Sequence, residues 1–426
     1  MENNKIYWLW LQQILGAGAR TDEITAQFPS PEELYSLGEV EWKLSGVLTN
    51  KQIERMKATD LAKARETLEI CKNNGWQIVT LDDECYPEKL KNLKNSPLVL
   101  FVDGDISEVK SHICVSIVGT RKASFQGTCL ANRYAHALSL AGIYTVSGGA
   151  LGIDSAAHMG SLEAQGKTFA VLGCGFGVKY LMENEDMRRR IAKNGALISE
   201  YPPFTPASMR SFPIRNRIIS GLCQSTVVIE AGIKSGSLIT ANCAMDQGRE
   251  VYALPGDVFN SSYAGANQLI KDGARPLFSI FDLIEEYSLR FPDKVKENNV
   301  NKALEFISGK RELTEEEKKR SPKTVIIKNN PPKQKSQAQA NTQAQAQAKD
   351  EIEQTDFHVT KIVSIPKDLS DNAKKVYDAM DDEPMYTDQI AQKTGLAPWE
   401  VISSLTELEI RDLVCLCAGK RYKKSN

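Results

Sequence analysis

Ile113-Cys-Val-Ser-Ile-Val-Gly-Thr-Arg121 holds six residues without a charge, then a glycine, a hydroxyl and a cation. An uncharged run of this length reads as a strand buried on both faces, and the glycine ends it. Helical periodicity follows over Gln126–Leu140. The same alternation extends in both directions. Short apolar runs occur at Gln77–Leu81, Leu98–Val102, Tyr144–Ser147, Phe169–Leu172, Ala196–Ser199, Thr226–Ile229 and Val251–Leu254, with helical stretches such as Ser155–Gln165 between them. Strands separated by helices specify βαβ units, so residues 76–300 are predicted to form an α/β, Rossmann-like, doubly wound and mainly parallel sheet. In such sheets ligands bind where strands end and glycine turns enter helices.

Residues 1–75 read as a small helical domain. Trp8, Leu9, Leu11, Ile14 and Leu15 recur with helical spacing until Gly16-Ala-Gly18, and a weaker copy surrounds Gly46. Two readings stay open: a packing domain, or a helix-hairpin-helix module that grips a DNA backbone. Residues 311–366 carry a charged run, Pro331-Pro332 and an Ala/Gln tract without large apolar groups, the composition of a disordered linker. Residues 367–426 show three helical segments, a strand-like Leu413–Cys417 and a basic tail, a pattern resembling a winged helix. The recognition helix expected there carries Glu400, Glu407, Glu409 and Asp412 against Arg411 alone, which favours protein contact over the major groove, with DNA contact through the tail as the alternative.

The 426 residues include 53 Lys and Arg against 54 Asp and Glu, so any polyanion must be held by local charge. The nine cysteines show no Cys-x-x-Cys spacing, which speaks against a zinc site and a disulfide framework. The apolar patch Tyr7–Leu11 is too short for a signal peptide or membrane span, and the protein is expected to be cytoplasmic.

Local charge is concentrated in Arg210-Ser-Phe-Pro-Ile-Arg-Asn-Arg217. The window Tyr201–Ile229 around it holds three arginines and no acid, so these cations are expected to lack a neutralising partner. Guanidinium forks fit phosphate oxygens. A second cationic turn, Lys234-Ser-Gly-Ser237, follows, and glycine turns lie at Gly119-Thr-Arg121, Ser147-Gly-Gly-Ala-Leu-Gly-Ile-Asp154 and Gly173-Cys-Gly-Phe-Gly177. The predicted phosphate site comprises Gly119, Thr120, Arg121, Gly148, Gly149, Arg215, Asn216, Arg217, Lys234, Ser235, Gly236 and Ser237. The glycines would admit a backbone closely, and Phe212 would either stack on a base or join the core.

Dinucleotide and nucleotide-hydrolase motifs are absent. Gly173–Gly177 is not G-x-G-x-x-G, and no acid falls between Lys122 and Ile153 to hold a ribose. Gly166-Lys167 runs from helix to strand and so reads as a helix C-cap. His158 reads as a packing residue; Asp154, Glu200, Glu230 and Asp257 read as helix caps or partners of neighbouring arginines. No nucleophile with an adjacent base emerges, and no catalytic residue, cofactor or metal is assigned.

Taken together, Ser116–Arg121, Ser147–His158, Phe212-Pro-Ile-Arg-Asn-Arg-Ile-Ile-Ser-Gly221, Lys234-Ser-Gly-Ser-Leu-Ile-Thr-Ala241, Gly248–Gly256 and Gly265–Ala274 closely resemble the DprA/Smf family. The family's usual Gly-Ser-Arg is Gly119-Thr-Arg121 here, which keeps the hydroxyl. The resemblance implies an extended Rossmann fold without catalytic turnover. It also implies a single-stranded DNA binding protein of natural transformation that dimerises and loads RecA. Four to six phosphate contacts would give a log–log salt slope of roughly −3 to −4. The alternatives are a small-nucleotide enzyme or sensor on a Rossmann-like fold, and an adaptor acting through the terminal domain.

Overall fold

The computed structural model describes residues 2–307, 369–381, 385–410, 413–417 and 421–424. The linker expected at 311–366, together with Arg411 and Asp412, lies outside them. The chain divides into two compact units, Met1–Ile327 and Lys328–Asn426.

The larger unit is built on nine strands: β1 (Gln77–Thr80), β2 (Val99–Gly104), β3 (Cys114–Val118), β4 (Tyr144–Ser147), β5 (Thr168–Leu172), β6 (Ala196–Ser199), β7 (Ser225–Val228), β8 (Glu250–Ala253) and β9 (Arg275–Pro276). Their order is β1-β2-β6-β5-β4-β3-β7-β8-β9. From β6 to β9 every pairing is parallel, while β2 runs antiparallel to β6 and β1 antiparallel to β2. The parallel part of the sheet starts in the middle at β3, winds outward through β4, β5 and β6, then crosses back to place β7 on the other side of β3. That reversal makes the β3/β7 boundary the topological switch point.

The strands alternate between two cores. Cys114 and Val118 pack with Ile218, Ile219 and Leu222 on one face, whereas Val115 and Ile117 pack with Ala131, Ala135 and Leu138 on the other. Ser116 lies among them fully buried, and its hydroxyl meets Thr226 Oγ1 at 2.7 Å. Burial on both faces explains why the strands read as uninterrupted apolar runs.

The helices of residues 2–73 pack onto this sheet within the same compact unit. Trp8, Trp10, Leu11 and Ile14 share a core with Ile78, Val99 and Phe101, and Trp10 Nε1 donates to Thr59 O at 2.9 Å. Gly16 and Gly18 both adopt positive φ, at 80° and 77°. The Gly18 amide donates to Glu200 Oε1 at 3.2 Å, and a Cβ there would sit 2.6 Å from Ile214 Cγ2. This hairpin turn is therefore docked against the sheet.

The smaller unit has helices Asp371–Ala379, Thr387–Thr394 and Pro398–Ile410, with strands β10 (Met385–Tyr386), β11 (Val414–Cys417) and β12 (Arg421–Lys424) ordered β10-β12-β11. It is the winged helix expected from the sequence. The basic tail is not loose: it forms the central strand, with Lys424 Nζ 4.9 Å from the centre of the Tyr377 ring.

Candidate nucleic-acid interface

A cleft of about 260 Å³ opens at the carboxyl ends of β3 and β7. Four segments distant in sequence build it. The turn after β3 supplies Gly119, Thr120 and Arg121; the loop after β4 and the start of helix Ile153–Glu163 supply Ala150 and Asp154; helix Ser211–Gly221 supplies Phe212, Arg215, Asn216 and Ile219; and the segment after β7 supplies Ser235, Gly236, Ser237 and Thr240. Eight of the twelve residues selected from the sequence thus line one cleft. Gly148, Gly149, Lys234 and Arg217 do not line it. Thr240 and Ile219 were missed because mid-helix residues of these types give no sequence signal.

The exposed cations sit on the turns. Arg121 projects over the Phe212 ring, with its guanidinium carbon 5.0 Å from the ring centre. Phe212 is itself half-buried, neither free nor core. Lys122 and Lys234 are exposed beside this cleft. The segment Lys234–Ser237 is held by Asn216 Nδ2, which donates to Gly236 O at 3.3 Å, and by the Ser235–Ser237 hydroxyl pair at 2.8 Å. Gly236 precedes helix Ser237–Asp246, has no side chain with which to cap it and has nothing within 4 Å of its Cβ direction. The amides of that first turn are the kind of donors that attract an anion.

Arg215 and Arg217 correct the sequence reading. Both were expected to be unneutralised phosphate ligands, and both are buried, 5% and 4% exposed. Arg217 Nη2 donates to Glu200 Oε1 at 2.6 Å, forming a buried ion pair. Burial pushes the Glu200 carboxyl up, against the pull of Arg217. Arg215 Nη1 donates to Gly148 O at 2.7 Å and also to Val171 O, which ties the ends of β4 and β5 together. Its charge faces Asp154, whose Oδ2 accepts from the amides of Gly148 and Ala150 at 3.2 and 3.4 Å. Neutralising acids were available after all, from outside the acid-free window.

Most of the selected glycines serve the scaffold rather than a ligand. A Cβ on Gly148 would lie 2.7 Å from Asp154 Oδ2 and 2.8 Å from Arg215 Nη1, so this glycine makes room for both buried side chains. At Gly119 the space is taken by Ile153 and Glu230 O. Only Gly236 among them is open.

The carboxylates and the histidine nearby are committed to structure, as the sequence suggested. Glu230, 1% exposed, accepts from Ser124 N at 3.0 Å and Ser124 Oγ at 2.8 Å, anchoring the start of helix Phe125–Leu140. His158 is fully buried, with Nδ1 2.8 Å from Thr168 Oγ1. That hydroxyl donates to Thr145 O at 2.9 Å, so His158 donates from Nδ1. Burial, with help from the Arg215 charge, lowers its pKa to about 3. Among the described residues no group of three or more His, Cys, Asp or Glu could hold a metal ion. No helix among them is long and apolar enough to cross a membrane.

A doubly wound sheet with a cleft at its switch point, together with a winged helix in the second unit, defines a Rossmann-like class. The family model for DNA recombination-mediator protein A matches residues 77–288, and that for the DprA winged helix domain matches residues 364–420. The DNA processing protein DprA of Bacillus subtilis is 38% identical over 224 residues, covering 53% of this chain and 75% of the relative. Protein Smf of Synechocystis is 30% identical over 433 residues, 99% of each chain. The X-ray structure of DprA from Streptococcus pneumoniae aligns over 67% of this chain and 98% of its own, with 32% identity and a TM-score of 0.57. The chain belongs to the DprA/Smf family of DNA-processing proteins.

Proposed function

We infer that this protein binds single-stranded DNA without sequence preference, holding the phosphate backbone in the cleft at the β3/β7 switch point. The observation that carries the reading is the pairing of exposed Arg121 with the half-buried Phe212 ring, opposite the open Ser235-Gly236-Ser237 turn. Single-strand binders combine a cationic track for phosphates with rings on which bases stack. Arg121, Lys122 and Lys234 supply about three contacts, for a salt slope of about −2 when the strand is confined to this cleft. Arg215 sets the shape of its floor.

Family membership extends the proposal: the protein acts as a dimer, hands its strand to RecA during transformation or recombination, works in the cytoplasm and turns over no substrate. The bonding of the nearby acids supports the last point, because Asp154 Oδ2 and Glu230 Oε2 accept from backbone amides and a serine hydroxyl, and Asp154 faces the Arg215 charge.

Competition between a labelled oligothymidylate and unlabelled single-stranded or duplex DNA tests the reading. Displacement by single strands at far lower concentration than by duplex is expected, and should weaken in Arg121→Ala. Equal displacement by both would refute it.

A further inference from the structure

A second cleft, of about 340 Å³, lies past the end of β5 around residues Cys174–Tyr180 and against Trp76. We propose that it is a second nucleotide subsite, stacking a base on Phe176 and Tyr180 and taking the adjoining phosphate on Lys179 and Arg188. The proposal rests on the reading of the chain as a single-strand binder and extends its track.

Continuity between the clefts is the first argument. Tyr180 packs on Phe212 with ring centres 5.6 Å apart, and Phe212 is also a wall of the switch-point cleft. One ring pair therefore borders both. Beyond it, Phe176 meets Trp76 edge-on at 5.5 Å, so the aromatic surface runs on. Charge is the second. Arg189 is occupied by Glu185 at 2.6 Å and Asp186 at 3.5 Å. Exposed Lys179 and half-buried Arg188 make no hydrogen bond or ion pair with a described residue; Arg188 feels Glu185 only through space. The remaining acid of the lining is Asp103, half-buried, whose carboxyl is pushed up by burial.

The third argument is how the turn is built. Gly173, Gly175 and Gly177 match no nucleotide motif, yet each leaves space that another group fills: the Phe212 ring, the backbone of Pro202–Thr205 and the Phe204 ring, respectively. Leu181 and Phe204 adopt left-handed φ of 45° and 65°, an unfavourable conformation for such side chains that persists only where surroundings impose it. The glycine triplet and two strained residues thus hold an aromatic shelf in place. A shelf of rings with two unpaired cations, contiguous with a phosphate cleft, is what successive nucleotides require.

The test compares a short oligothymidylate of about 4 nucleotides with a long one of about 20. It uses the full chain, as wild type and as Lys179→Ala/Arg188→Ala. For the long strand the double variant should lose about tenfold in affinity. Its salt slope should fall from about −3.5 to about −2. The short strand should bind both proteins equally. Independently, the long strand should quench Trp76 emission in wild type, a change absent in Trp76→Phe. Unaltered long-strand binding, equal losses for both lengths, or no Trp76 response would each overturn the second subsite. Failure of wild type to bind either strand would instead remove the underlying single-strand reading, and the subsite with it.

Discussion

Two sets of cations, chemically similar and close together, have opposite roles. Arg215 and Arg217 belong to helix Ser211–Gly221 and are buried; Arg217 pairs with Glu200, while Arg215 donates to the carbonyls of Gly148 and Val171 and feels the Asp154 charge through space. Arg121, Lys122 and Lys234 belong to turns, are exposed, and have no ion pair with a described residue. The difference lies in the elements that carry them. A helix packed under β4 and β5 must satisfy its charges internally, since burying an unpaired charge is prohibitive. A turn at a strand end leaves its charge in water until a ligand arrives. On the proposed reading, the buried arginines build the cleft and the exposed cations of the turns contact what enters it.

The largest effect that would break this division comes from the buried pair. Arg217→Ala leaves Glu200 buried and unpaired, so denaturant unfolding should show a loss of about 3–5 kcal/mol. A stable variant with lost DNA binding would instead make Arg217 a ligand. Acid comes next. The folded His158 pKa of about 3 lies below the unfolded value near 6.5, so between these values the unfolded chain binds more protons. Stability is then intact above pH 6.5 and falls as pH drops toward 3, by about 1.4 kcal/mol per unit from this residue. His158→Gln should flatten that dependence; an unchanged profile would mean His158 is not held neutral.

Glycine replacements separate the sets more gently. Gly148→Ala drives a methyl into Arg215 and Asp154 and should cost about 1–3 kcal/mol in thermal unfolding. Gly236→Ala meets open space and should change stability by less than about 0.5 kcal/mol. Comparable melting shifts for the two would contradict the distinction between scaffold and open glycines.

Most of the sheet was legible because burial on both faces leaves an unmistakable apolar run, as at Cys114–Val118. β9 was not, since Arg275 and Pro276 are both exposed and carry no such run. The antiparallel direction of β1 and β2 was equally hidden, because an apolar run does not encode which way its neighbour points. At the site, residue types were readable and environments were not. Arg217 looked unpaired because its partner, Glu200, lies just outside the acid-free window and arrives through the fold. The aromatic shelf was overlooked because Trp76, Phe176, Tyr180 and Phe212 come from three separate segments.

The salt dependence of oligothymidylate binding by wild type and Arg121→Ala tests the central claim most directly. With thermal stability unchanged, the variant should bind more weakly and lose about 0.7 from the magnitude of the log–log slope, one phosphate contact. Superimposable binding curves at every salt concentration would show that Arg121 and its cleft do not hold the strand.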